Sequence, residues 1–132
     1  MVNKIIKFIC DAMLGRTARF LRLFGYDTLY NTTYSDPELL QIAANENRVL
    51  LTRDFELHQK AMKSGIQSIL LPEKTLINRF ISISLKMNLN LELDSSISRC
   101  ASCNVKIRPI TKELVKDKVP LKTYAQFDEY WI

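Results

Sequence analysis

An α/β fold, with a parallel sheet covered by helices on both faces, is what this sequence predicts, and three observations carry the prediction. Short apolar runs rich in β-branched residues alternate with stretches of helical periodicity in the order βαβαβαβα, the pattern of parallel strands joined by crossover helices. Helix start and stop signals fall between the runs, where such an alternation needs them. At 132 residues, with 47% apolar and 25% charged side chains, the chain has the size and balance of one globular core with room for an appendage.

The first strand is Lys4 to Cys10 (KIIKFIC), short, apolar and β-branched as a buried central strand should be. Leu14, Ala18, Leu21 and Phe24 then recur at helical spacing until Gly25, which stands where a C-terminal glycine stops a helix. Tyr26 to Tyr30 supplies a brief second strand, and Asn31, Thr32, Thr33 and Ser35 mark a loop. Ser35 with Glu38 three residues on has the capping-box pattern; Leu39, Leu40, Ile42 and Ala43 form the buried stripe of a second helix ending near Asn45 to Asn47. Val49 to Thr52 is the third strand, 55–63 a third helix ending before Gly65, and Ile66 to Leu71 the fourth strand, stopped by Pro72. Lys74 to Met87 carries Leu76, Ile77, Phe80, Ile81 and Leu85 on one helical face, which predicts a buried stripe. Beyond Asn88 the character changes to an acidic and apolar patch, serines, a Cys pair and a basic run, so 1–88 reads as the domain and 89–132 as an appendage.

No apolar stretch approaches the roughly 18 residues needed to cross a bilayer, which predicts a protein without a membrane span. The first residues place Asp11 inside their apolar run and lack a small-residue cleavage site, which points to the cytoplasm. Net charge is +5, from 19 basic and 14 acidic side chains. The surplus gathers at Lys4, Lys7, Arg16, Arg19 and Arg22, and again at Arg99, Lys106, Arg108, Lys112, Lys116, Lys118 and Lys122. Both regions suit phosphate, although a solvated face explains such charge equally well. Three cysteines do not read as a disulfide framework, and Cys10 reads as a small buried hydrophobe.

Ligands of open parallel sheets bind beyond the carboxyl ends of the strands. Asp11 directly follows the first strand and Asp54 the third, while Asp36 stands at the mouth of the second helix. Carboxylates gathered there either share protons or bind a divalent cation, and oxygen ligands favour Mg²⁺ or Mn²⁺ over zinc. The competing explanation is that each Asp merely caps a helix. Arg16, Arg19 and Arg22 recur every three residues from near Asp11, a stripe that could clamp phosphates or pair with surface acids, and Arg53 lies beside Asp54. The single histidine, His58, reads as a surface residue.

The runs CDAMLGRTARFLRLFGYDTLY (10–30), SDPELLQIA (35–43) and RVLLTRD (48–54) resemble the Mut7-C RNase domain, a branch of the PIN-like nucleases. RCASCNVKI (99–107) resembles the opening of the zinc ribbon that usually follows in that family. The resemblance implies a PIN-like three-layer α/β/α sandwich and metal-dependent ribonuclease activity, with Asp11, Asp36 and Asp54 at the acidic positions. It implies RNA, ribosomal or transfer RNA included, as the partner of Arg16, Arg19, Arg22 and Arg53, and Lys106 and Arg108 in the basic tail are candidates for the same contact. One departure stands out: a zinc ribbon needs four ligands, and only Cys100 and Cys103 are present, so a Zn²⁺ site would be incomplete.

Two other classes are weighed against the nuclease. A domain with half a ribbon and a basic tail could instead be an RNA- or ribosome-associated factor with a weak or silent site. Phosphoryl transfer of the haloacid-dehalogenase type wants a second Asp two residues after the first, where this chain has Met13. With only Gly15, Gly25 and Gly65, no glycine-rich phosphate loop exists either.

Overall fold

Residues 5–132 are described by the structure, a computed structural model; Lys4, at which the sequence predicts the first strand to open, lies outside them. Strand β1 (Lys7–Cys10) sits inside the sheet, pairing in parallel with β2 (Asp27–Tyr30) on one side and β3 (Val49–Thr52) on the other. Strand β4 (Ser68–Leu70), shorter than the apolar run predicted, adds in parallel to β3 and completes the order β2-β1-β3-β4. Between the strands run α1 (Gly15–Leu23), α2 (Asp36–Glu46) and α3 (Phe55–Lys63), and α4 (Leu76–Met87) follows β4.

The alternation of side chains along each strand divides the core in two. Phe8, Cys10, Val49, Leu51 and Ile69 face α1 and α4. Ile9 and Leu50 face α2 and α3, meeting Leu39, Ala43, Leu57 and Ala61. A four-stranded parallel sheet thus lies between two helical layers. Among the described residues no helix is long and apolar enough to cross a membrane.

Local signals end the helices as their chemistry dictates. Ser35 and Glu38 form the capping box at the start of α2, and Asn47 closes it in the left-handed region. Gly25 takes φ +97 after α1, a conformation open to glycine, with the Ile97 carbonyl 3.0 Å from where a Cβ would stand.

Helix α4 corrects one expectation. Its buried residues are Phe80 and Ile83, whereas Ile77, Ile81 and Leu85 are 73%, 52% and 83% exposed. The apolar positions wrap further round the helix than one neighbouring helix can cover.

The appendage is ordered and pinned to the domain. After a tight Cys100–Val105 turn come β5 (Pro109–Ile110), a 3₁₀ turn at Lys112–Val115, α5 (Leu121–Gln126) and β6 (Tyr130–Trp131), which pairs antiparallel with β5. Asn104, at φ +70, accepts the Thr28 N–H of edge strand β2 at 2.9 Å and donates to Asp27 Oδ1 at 2.7 Å. One side chain therefore occupies an outward N–H that an edge strand would otherwise leave open to another chain. Ser98 donates to the Leu23 carbonyl at 2.6 Å, and the Arg99 N–H to that of Arg22 at 2.8 Å.

Candidate active site

The strand order sets the position of the site. From β1 the chain steps outward to β2, then crosses back to place β3 on the other side of β1, so the topological switch lies between β1 and β3. Crevices at such a switch, at the carboxyl ends of the strands, are where open α/β sheets bind ligands. Asp11 and Asp54 emerge there, and Asp36 opens α2 beside them. With Ala12, Met13, Tyr34, Leu39 and Leu57 the three aspartates line one cavity of about 160 Å³.

Asp11 is the buried member, 7% exposed. Its Oδ1 accepts the Met13 N–H at 2.9 Å, and its Oδ2 accepts the Thr52 hydroxyl at 2.5 Å and the Arg53 N–H at 3.0 Å. Thr52, fully buried at the end of β3, also accepts the Asp54 N–H at 2.9 Å, so one hydroxyl ties the two aspartate-bearing segments together. Asp54 Oδ1 accepts the Glu56 N–H at 2.9 Å and caps α3. Asp36 is exposed in the first turn of α2, which Ser35 caps instead.

The capping explanation holds for two of the three aspartates. Asp11 and Asp54 are caps, and they share a cavity with Asp36. Oxygen donors in a crevice free of amines suit a hard divalent cation. The spacing is that of an open site, however: among the described residues no three His, Cys, Asp or Glu side chains stand near enough to hold one ion.

The basic residues separate. Arg16 and Arg19 are exposed on α1. Arg22 corrects the stripe reading: it is 5% exposed, and its guanidinium donates to the Thr28 carbonyl at 2.9 Å and the Ala101 carbonyl at 2.8 Å, so it serves the fold and cannot reach RNA. At about 100° per residue, six positions leave Arg22 roughly 120° round the helix from Arg16, which turns it inward. The backbone of Arg53 holds Asp11, while its side chain reaches towards the Pro72 carbonyl and leaves Nε buried without a partner. Lys106 and Arg108 are exposed on the appendage and are not among the cavity-lining residues.

Cys100 and Cys103 lie on the turn that Asn104 closes. The Cys103 thiol and the backbone N–H groups of Cys103 and Ser102 hydrogen-bond to Cys100 and hold its thiol below the usual range. That is a thiolate-favouring arrangement, but among the described residues no third ligand joins it, so the pair does not make the four-ligand site that structural zinc needs. Burial, then the neighbouring Asp11, pushes the Cys10 thiol far up, in keeping with an inert core residue.

Several residues escape a reading by sequence. Met13 and Tyr34 line the cavity without any spacing signal to mark them. His58 is half-buried, with Nδ1 2.7 Å from Ser68 Oγ, and ties α3 to β4 instead of facing solvent. Arg48 is 6% exposed and donates to Asp27 Oδ1 at 2.9 Å and the Phe8 carbonyl at 3.0 Å, joining three strands at the end of the sheet away from the site.

Compared with known families, residues 6–132 match the model of the Mut7-C RNAse domain. No curated protein and no solved structure matches the chain.

Proposed function

From the premise that this chain belongs to the Mut7-C RNase domain family, matched over residues 6–132, we propose that it is a metal-dependent ribonuclease with a PIN-like sandwich. Family membership suggests a ribonuclease-like role. The observation that supports the finer reading is the placement of Asp11, Asp36 and Asp54 on one cavity at the switch point of the sheet.

In this reading Asp11, from a buried position, and Asp36 and Asp54, from exposed positions on the same cavity, would hold Mg²⁺ or Mn²⁺. A bound divalent ion supplies Lewis acidity for phosphodiester hydrolysis. The chain's own contribution is orientation: Thr52 and the Arg53 N–H fix the Asp11 carboxylate, and the capping of α3 fixes Asp54. Arg16 and Arg19 on α1, with Lys106 and Arg108 on the appendage, would attract the RNA backbone from several sides.

The open spacing favours one alternative, an RNA- or ribosome-associated factor whose acidic site is silent. Asp36→Asn separates the two readings. Its carboxylate is exposed and is not the cap of α2, so folding should be unaffected. A nuclease should cleave labelled RNA in Mn²⁺, stop in EDTA, and lose more than about tenfold in the variant, at least about 1.4 kcal/mol of transition-state stabilisation, while RNA binding persists. A wild-type protein that binds RNA and never cleaves it in Mn²⁺ would support the silent factor.

A further inference from the structure

Helix α4 carries apolar residues on two faces, and only one of them is used by the fold. Leu76, Phe80 and Ile83 pack inward, while Ile77, Ile81 and Leu85 form an uncovered ridge at spacings of four. The same three residues line one side of an open groove of about 520 Å³ between α4 and α1. Its floor includes Phe20, Phe24 and Phe80, with Phe20 and Phe24 set edge-on to Phe80 at 6.5 and 5.7 Å.

From this face we infer that the protein forms a two-fold dimer, the α4 ridge of each copy seated in the α1–α4 groove of the other. Three features favour a second copy as the occupant. The face is self-complementary, since the ridge that walls the groove of one copy can enter the groove of the other, as an isologous interface requires. Ile81 is at the middle of a helix spanning Leu76–Met87, so a two-fold axis there sets Ile77 of one copy against Leu85 of the other. Ridges of i±4 residues interdigitate with their own kind in the commonest class of helix packing.

Area and charge agree. With ordinary side-chain areas the exposed part of the face is on the order of 600 Å² per copy, so a pair would bury roughly 1,200 Å², the lower edge of stable specific interfaces. A contiguous apolar face of that size is at the upper end of what monomers expose, where such patches often mark a binding surface. Among the described residues no ionisable side chain lines the groove, so copies that each carry +5 can meet there without opposing like charges at the centre.

Sedimentation equilibrium tests this directly, at loadings from about 1 to 200 µM, a span that brackets micromolar dissociation. The wild-type chain should move from monomer towards twice its mass across that range. Leu85→Glu and Ile77→Lys, both at strongly exposed positions, should each give a folded monomer at every loading, with circular dichroism unchanged. A wild-type monomer throughout would overturn the proposal and leave the groove to an apolar helix of another protein. A dimer indifferent to the single changes would place the interface elsewhere and overturn the proposal as well.

Discussion

Replacing Thr52 by Val keeps the shape of the side chain and removes the hydroxyl on which the site is built. That hydroxyl is fully buried, donates to Asp11 Oδ2 at 2.5 Å and accepts the Asp54 N–H at 2.9 Å. A hydrogen bond to a carboxylate contributes about 1.5–3 kcal/mol and an ordinary one about 1, so the change should cost about 2–4 kcal/mol. For a domain of this size each kcal/mol moves the midpoint by roughly 3–5 °C, which predicts a fall on the order of 10 °C. Thr52→Ser is the matched control: it keeps the hydroxyl and removes one methyl, about 1 kcal/mol. Urea unfolding followed by circular dichroism measures both. Should Val cost no more than Ser, the hydroxyl bridge contributes nothing and Asp11 is held by other means. Metal-dependent cleavage, measured where both variants are folded, should fall for Val and survive in Ser.

The arginines of α1 should part company. Arg22→Ala removes a buried guanidinium from two carbonyls and should destabilise by about 2–3 kcal/mol in urea unfolding. Arg16→Ala and Arg19→Ala should leave stability within about 0.5 kcal/mol, and each should reduce the slope of log affinity for RNA against log salt by about one for every phosphate that the arginine neutralises. Asp27 predicts a pH dependence. Burial raises its carboxyl, but hydrogen bonds from Arg48 and Asn104 and the Arg48 charge outweigh that and hold it below the ordinary range. A folded value below the unfolded one contributes stability that is present above the unfolded pKa of about 3.9 and lost as pH falls through the lower folded value. Unfolding free energies of wild type and Asp27→Asn should therefore converge on acidification below about pH 5. Asn104→Gly keeps the left-handed turn and gives up the hydrogen bonds to β2, whereas Asn104→Ala gives up both and should be the less stable of the two by thermal melting.

Most of the domain was legible as sequence because its signals are local. The strands at Lys7–Cys10 and Val49–Thr52 are short apolar runs, Asp27–Tyr30 is a brief stretch between a glycine and a loop, and the capping box at Ser35 and the glycine after α1 act within a few residues of themselves. The placement of Asp11 and Asp54 beyond neighbouring strands also follows from sequence position once the sheet is parallel. Only tertiary structure decided what each polar group faces. Arg22 and Arg16 belong to the same stripe on paper, yet helical rotation and the arrival of the 98–104 segment bury one and leave the other in solvent. Asp11 could be read as a cap or as a ligand, and folding makes it a cap whose remaining surface meets Asp36 and Asp54 across one cavity. The apolar stripe of α4 reads as core, but a single layer of neighbours covers only part of a helix's circumference, so Ile77, Ile81 and Leu85 are left facing out. Sequence periodicity specifies that a face is apolar; what packs against it depends on how many neighbours the topology brings.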